Sequence, residues 1–537
     1  MTDLIFITQT KQLIDSLKSV CANFGLGNDG NEFKIITQLF LYRYINDKFS
    51  YEARKQDETL AKAEDFQAAL EAMHADDFTH LVALIGSKAP ALKPGETVAY
   101  LYNRQGQENF ASLFDATLQA ISVHNAGLFS ITSAGGAKDS LFDQLSLFIA
   151  DTSQRDAFCR SLISRLAAFS FEKMLGETYD FFATIFEYLI KDYNSDSGGK
   201  YAEYYTPHAA ARIMAAIMVP GPVKHVTCYD PSAGSGTLLL NIAHAIGENN
   251  CTIYSEDISQ KAAGMLRLNL LLNNLSRSIP NIVKTNTIAA PYYLDKKFDY
   301  IVSNPPFKLD FSDFRNNLLN DNFKDRFFAG VPNVPKSRKE AMAIYLLFIQ
   351  HIMYSLSEKG KAAVIVPTGF ITARGGMERN IREALIERNM LRGVVSMPGN
   401  MFASTGTNVS VLFIDKNADA AGIVLVDASA LGNMVKDGKN QRTVLSAAEE
   451  QRIITAMNEK QAQEHFSAVV TAADIRNKNY TFAAGQFFDV KTAYVPITAA
   501  AFQQRVNDFS QDIDRLFAAS AELERAIKQQ LEGLRYA

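Results

Sequence analysis

One stretch constrains this chain more than any other: a strand that runs into a glycine turn and then a helix. Residues 226–246 read VTCYDPSAGSGTLLLNIAHAI. The β-branched and aromatic start, Val226 to Tyr229, suits a buried strand, and the apolar run after Thr237 suits a helix. Between them lies Asp230-Pro-Ser-Ala-Gly234-Ser-Gly236-Thr237. Gly234 and Gly236 allow a tight turn and bring main-chain N–H groups close to a ligand. The N-terminus of the following helix favours an anionic group there. No Lys-Ser/Thr pair follows the second glycine, so this is not a phosphate-binding P-loop. The third glycine of the dinucleotide fingerprint is also absent.

The surrounding sequence repeats this theme. Short β-branched runs at Val226–Tyr229, Thr252–Tyr254, Asn281–Lys284, Tyr300–Val302, Ala363–Val366, Val394–Ser396 and Val409–Ile414 alternate with helical stretches. Such alternation predicts a parallel sheet wrapped by helices, an α/β domain over 166–415. Residues 1–165 read as a helical N-terminal domain. Glu32–Phe49 carries apolar residues at helical spacing, Leu141–Phe169 looks similar, and Gly135-Gly136 marks a break. Residues 416–500 form a mixed C-terminal extension. In 501–537, Phe502, Val506, Phe509, Ile513, Leu516, Leu523, Ile527 and Leu534 keep a 4-3 spacing, with Ser520 and Gln530 at polar seam positions. That predicts a long coiled-coil-like helix whose seam packs on its own domain or on another subunit.

Composition narrows the function classes. Across 537 residues the net charge is only -4, which gives no sign of a broad basic surface for nucleic acid. Any DNA contact must come from local patches or a partner. The four cysteines (Cys21, Cys159, Cys228, Cys251) form no C-x-x-C pair, so neither a disulfide framework nor a zinc site is expected. The start, MTDLIFITQTKQ, lacks a basic segment before its apolar run, and no stretch approaches a membrane span. A cytoplasmic protein with no membrane partner and no metal is the expectation.

A D-x-x-x-G-x-G turn suits S-adenosylmethionine, whose methionine part carries a carboxylate and an ammonium. Asp230 would face the ammonium side; the alternative is a purely structural turn. The next strand ends in Glu256-Asp257. An acid at that tip, about 20 residues after the glycines, is placed to grip ribose hydroxyls. The alternative for Asp257 is an acid serving the following helix N-terminus.

A later strand, Phe298 to Ser303, feeds into Asn304-Pro305-Pro306-Phe307. None of these side chains titrates near neutral pH. Prolines end the strand and stiffen the turn. The Asn304 side-chain oxygen and the Pro305 carbonyl can both accept from one planar NH2 group, while Phe307 stacks on the attached ring. Two acceptors make an exocyclic amine such as adenine N6 more nucleophilic without a general base. The flat polar object that such a site holds is an aminated base.

The order D-P-S-A-G-S-G, E-D, N-P-P-F resembles the amino-directed DNA methyltransferases. Upstream, Glu203-Tyr204-Tyr205-Thr206-Pro207-His208 is similar to the segment that lies over the cofactor in one subgroup. Leu356 to Gly369 and Val395-Ser-Met-Pro-Gly-Asn-Met-Phe402, followed by Ser404-Thr-Gly-Thr407, resemble further parts of that domain. Nearly the whole chain resembles the modification (M) subunit of type I restriction-modification systems. The resemblance implies a Rossmann-like S-adenosylmethionine-dependent methyltransferase sheet and methylation of adenine N6 in duplex DNA. It also implies work in two copies with one specificity (S) subunit, which an ATP-driven restriction (R) subunit can join. Carried over, Glu203 to His208, Asp230, Gly234, Ser235, Gly236, Thr237 and Asp257 bind the cofactor, and Asn304 to Phe307 hold the target adenine. The chain has Asn286-Thr287 where the family often has an acid, so Asn286 is the expected contact to the cofactor's adenine.

Reaching a paired base requires flipping it out, at a few kcal/mol. Lys308, Lys324, Arg326, Lys336, Arg338 and Lys339 follow NPPF in a polar stretch and are candidate phosphate contacts, or simply a solvated loop. The competing functions are a self-sufficient adenine methyltransferase, a protein-glutamine or RNA amine methyltransferase on the same sheet, and an inactive scaffold. Cytosine C5 methylation is disfavoured, because no cysteine follows a proline to act as nucleophile.

Overall fold

The computed structural model describes residues 2–27, 30–126, 132–133, 141–172, 175, 206–273, 275–402, 408–437, 440–488 and 497–532. The chain divides into two compact units, 1–488 and 489–537.

The first unit is organised by a ten-stranded sheet. Its strands are β1 (Thr132–Ser133), β2 (Val226–Asp230), β3 (Cys251–Asp257), β4 (Ile282–Lys284), β5 (Phe298–Ser303), β6 (Leu356–Pro367), β7 (Leu391–Ser396), β8 (Val409–Asp415), β9 (Ile423–Asp427) and β12 (Ser467–Val470). They lie in the order β1-β4-β3-β2-β5-β6-β8-β7-β9-β12. A separate hairpin pairs β10 (Asn433–Asp437) with β11 (Asn440–Val444). All seven runs expected to be strands form strands.

Direction is where the expectation needs correcting. β1 to β6 are parallel throughout, but β8 runs antiparallel to both β6 and β7. The described part of the connection from β7 to β8, 397–402 and 408, forms no helix. A strand that returns to its neighbour without a helical crossover reverses direction. The mixed region after 416 adds two strands to this same sheet, β9 parallel to β7 and β12 antiparallel to β9.

Helices cover both faces. In β6, Ala363 and Ile365 pack into one apolar core, Ala362, Val364 and Val366 into the other. That period-2 split buries both faces of the strand and explains its continuous apolar run. One core takes in helices His208–Met218 and Thr237–Ile246 and continues into the N-terminal helices, where Ile14, Leu17, Ile36, Phe114 and Leu162 are buried. The other takes in Tyr345–Ser355 and Gly376–Glu387. Glu32–Phe49 lies within one long helix, Gly30–Gln56. Leu141–Phe169 is less regular than its spacing predicts: two 3-10 turns precede a helix confined to Arg155–Ala167. Gly135-Gly136 lies outside the described residues.

The second unit is the helix Ala499–Glu532, 34 residues long. Phe502, Val506, Phe509, Ile513, Leu516, Leu523 and Ile527 are all exposed along it, and Leu534 lies outside the described residues. Among the described residues no helix is long and apolar enough to cross a membrane.

Gly393, in β7, has no room for a side chain. A Cβ there would lie 2.3 Å from the Val424 carbonyl oxygen in β9 and 2.9 Å from Met457 Cε. Backbone cannot move aside as a side-chain end can. Gly393→Ala is therefore expected to cost about 2 kcal/mol, read as a lowered midpoint in thermal unfolding.

Candidate active site

The turn after β2 is built from its own sequence. Asp230 is buried, and its Oδ1 accepts from the Ser232 amide at 2.9 Å. Gly234 and Gly236 adopt positive φ, +52° and +85°, which glycine tolerates best. Gly236 also meets Leu266 so closely that a Cβ would lie 2.2 Å from Leu266 Cδ1. The turn ends at Gly236, which caps the helix Thr237–Ile246. Asp257 reaches across from β3: its Oδ2 accepts from the Gly234 amide at 2.9 Å and its Oδ1 from the Ser259 amide at 2.8 Å. Asn269 Nδ2 donates to the Ser235 carbonyl at 2.7 Å.

β5 lies beside β2, with Cys228 opposite Tyr300 and Tyr229 opposite Ile301. β2 leads outward to β3, while β5 leads the other way to β6. Ligands bind at the carboxyl ends of the strands where the order reverses like this. The two loops are joined by Ser232 Oγ and Ser303 Oγ, 2.7 Å apart. One cavity opens there, lined by Thr206, Asp230, Ser232, Ala233, Gly234, Ser235, Thr237, Leu238 and Asn304.

This cavity unites much of what the sequence nominated. Asp230, Gly234, Ser235, Thr237 and Thr206 line it, and so does Asn304. The Asn304 Nδ2 donates to Thr206 Oγ1 at 3.1 Å. Pro305 is buried, Pro306 exposed and Phe307 half-buried. The Phe307 ring meets Tyr345 edge-on, with centroids 6.2 Å apart. Gly236, Pro207 and His208 adjoin lining residues in the chain and Asp257 bonds the Gly234 amide, but none of the four lines the cavity; His208 opens the helix His208–Met218. Asn286 does not line it either. Its Oδ1 caps its own turn, accepting from Ile288 and Ala289 at 3.2 and 3.1 Å. Glu203, Tyr204 and Tyr205 lie outside the described residues.

Sequence reasoning passed over Ser232, Ala233 and Leu238 as lining residues. Ser232 was visible inside the D-P-S-A-G-S-G motif, but nothing in the spacing marks its partner, Ser303. Arg326 departs from the reading of a phosphate contact. It is 1% exposed, whereas Lys308, Lys324, Lys336, Arg338 and Lys339 are exposed. Three acceptors inside the fold draw it in, and they come from distant parts of the chain.

The N-6 DNA methylase family profile matches residues 177–494. The chain belongs to that family. It is thus a DNA adenine methyltransferase, as the motif order implied. The chain is 26% identical over 390 residues to the type I restriction enzyme MpnII methylase subunit of Mycoplasma pneumoniae, covering 70% of this chain and 68% of that one. It is 25% identical over 366 residues to the HindI methylase subunit of Haemophilus influenzae, covering 66% and 79%. A type I restriction-modification system methyltransferase subunit from Streptococcus thermophilus has the same fold, with a TM-score of 0.72 at 21% identity over 91% of this chain and 100% of that one. The expected methyltransferase sheet and the resemblance to type I modification subunits are both borne out.

Electrostatics single out Asp230. Burial pushes its carboxyl up to about 8; the Ser232 amide opposes this and the nearby Asp257 adds to it. A folded pKa above the unfolded one makes the ionised form costly, so the stability present at acid pH is lost as pH rises from about 4 through about 8. Asp230→Asn removes that titration. The unfolding midpoint of the variant minus that of the wild type, both without ligand, is expected to rise between pH 5 and pH 8 and then level off.

Proposed function

We propose that this chain is the modification subunit of a type I restriction-modification system and transfers a methyl group from S-adenosylmethionine to adenine N6 in duplex DNA. The observation that carries this reading is the cavity shared by the glycine turn and Asn304. The names of its type I relatives support the assignment to such a system.

The residues present fit the cofactor. Asp230 is a buried carboxyl held up by lack of solvation, and an ammonium beside it would restore its charge. The N-terminus of Thr237–Ile246 would face the carboxylate. Asp257, fixed by Gly234 and Ser259, retains lone pairs for ribose hydroxyls. Asn286 would reach the cofactor's adenine only after leaving the turn it caps, so that contact is the weakest of the set. S-adenosylmethionine, when bound, supplies a methyl group on a positively charged sulfur.

The protein's part is to hold the amine in line. Thr206 engages the Asn304 Nδ2, which leaves Oδ1 to accept from the adenine amine together with the Pro305 carbonyl. Both acceptors draw on the N6 hydrogens, raise electron density on nitrogen and accommodate the proton until it leaves to water. Phe307, braced by Tyr345, offers a stacking face, worth roughly 1–3 kcal/mol. That offsets part of the cost of flipping the base.

The partners follow from the same reading: duplex DNA, a specificity subunit, a second copy of this chain and, where present, a restriction subunit, all in the cytoplasm. The exposed apolar seam of Ala499–Glu532 is a surface for one of the protein partners.

The test is transfer of labelled methyl to unmethylated DNA, followed by nucleoside analysis, for this chain alone and with a specificity subunit. N6-methyladenine only with the partner is the expected result. Equal activity from the lone chain would instead mean a self-sufficient enzyme. Asn304→Ala should lower transfer by about 100-fold or more while leaving cofactor affinity near that of the wild type. Retained transfer would remove Asn304 from the catalytic group.

A further inference from the structure

Arg326 lies in the segment that follows NPPF, yet it is buried and Nε, Nη1 and Nη2 each bond inside the protein. Nε donates to His351 Nδ1 at 3.0 Å, Nη1 to the Ile288 carbonyl at 2.9 Å, and Nη2 to the Thr287 carbonyl. Arginine only donates, so His351 Nδ1 must accept and the ring proton sits on Nε2. Burial and the adjacent guanidinium keep the ring neutral. His351 Nε2 is 3.2 Å from the Tyr229 hydroxyl, which in turn donates to Glu256 Oε2 at 2.6 Å. Glu256 Oε1 accepts from the amides of Tyr292 and Tyr293. Arg326, His351, Tyr229 and Glu256 are each at most 1% exposed. The bonds therefore run in one direction, from a buried cation to a buried carboxylate.

Both ends of this path reach the glycine turn. Thr287, whose carbonyl holds Arg326, donates its Oγ1 to the Pro231 carbonyl at 2.7 Å. The Glu256 carbonyl accepts from the Ala233 amide at 3.2 Å. Pro231 and Ala233 flank Ser232 and follow Asp230. The segment that carries Arg326 has separate anchorage, since Phe311, Leu318, Phe327, Val331 and Met342 pack with Ile288 and Leu347 in their own apolar cluster. The polar path is thus not the segment's sole anchor.

We propose that Arg326 is a positioning residue for the cofactor turn. Acting through Thr287 on one side and His351, Tyr229 and Glu256 on the other, it holds Pro231 to Ala233 in the conformation that binds S-adenosylmethionine. Cofactor affinity is thereby tied to the segment that follows the target-base motif. This rests on the cofactor reading above. A purely structural role would lower the unfolding temperature of a variant but leave affinity unchanged well below that temperature.

Calorimetric titration of the full chain with S-adenosylmethionine tests this, alongside the transfer rate at saturating cofactor with the specificity subunit. Tyr229→Phe keeps the ring and cuts only one arm; it should weaken cofactor binding about three- to tenfold. Arg326→Met cuts both arms and should weaken it about tenfold or more. Rates at saturating cofactor should stay within about threefold of the wild type. Wild-type affinity in Tyr229→Phe overturns the proposal, as does a rate loss at saturation with affinity intact. If Arg326→Met fails to fold, Tyr229→Phe decides. If the wild type itself does not bind, the cofactor reading falls and this proposal falls with it.

Discussion

The pairing of β2 with β5 is the constraint on which the rest depends. These strands leave the centre of the sheet in opposite directions, and their ends hold the glycine turn and the Asn304 loop side by side. The Ser232–Ser303 hydrogen bond then ties the two loops at 2.7 Å. Register matters because side chains alternate along a strand. A slip of one residue would turn Tyr229 and Ile301 out of their core and carry Asp230 away from the cavity. The apolar faces of β2 and β5 therefore set the geometry of a polar site that contains none of their own apolar residues.

Buried arginines do the corresponding work in the loops. Where strands end, carbonyls lose their ladder partners and need donors. Arg326 satisfies the carbonyls of Thr287 and Ile288 after β4. Arg382, also fully buried, satisfies Phe370 and Ala373 after β6 and reaches Tyr480. A guanidinium can hold several acceptors at fixed angles, which lysine cannot. The same edge of the sheet thus combines rigid loops with a cavity that must accept ligands.

Legibility from sequence followed the range of the interactions. The glycine turn, the acid at the end of β3 and NPPF are local patterns whose residues are a few positions apart, and the cavity collects Asp230, Gly234, Ser235, Thr237 and Asn304 from them. The strands were readable because burial on both faces leaves continuous apolar runs. Direction was not: Val409–Ile414 reads the same whether it runs with β6 or against it. Arg326 was misplaced for a related reason. In a stretch with Lys324, Lys336, Arg338 and Lys339 it looks like one more surface charge. Its burial depends on His351, 25 residues later, and on Tyr229, 97 residues earlier. Asn286 is a milder case, since its side chain serves its own turn.

The insertion of β8 between β6 and β7 has a consequence for how the chain emerges from the ribosome. By Ser303 the strands that form the cofactor half are all available. β6, however, gains its second neighbour only when Asp415 has been made, and β9 meets its outer partner only at Val470. At ordinary translation speeds the interval from Ser303 to Val470 is on the order of ten seconds. During it, an apolar strand edge stands open beside an otherwise complete nucleus. Such an edge is a template for pairing with other chains. The late strands thus cover an edge that the earlier ones leave open, and they do so with residues far from the chemistry.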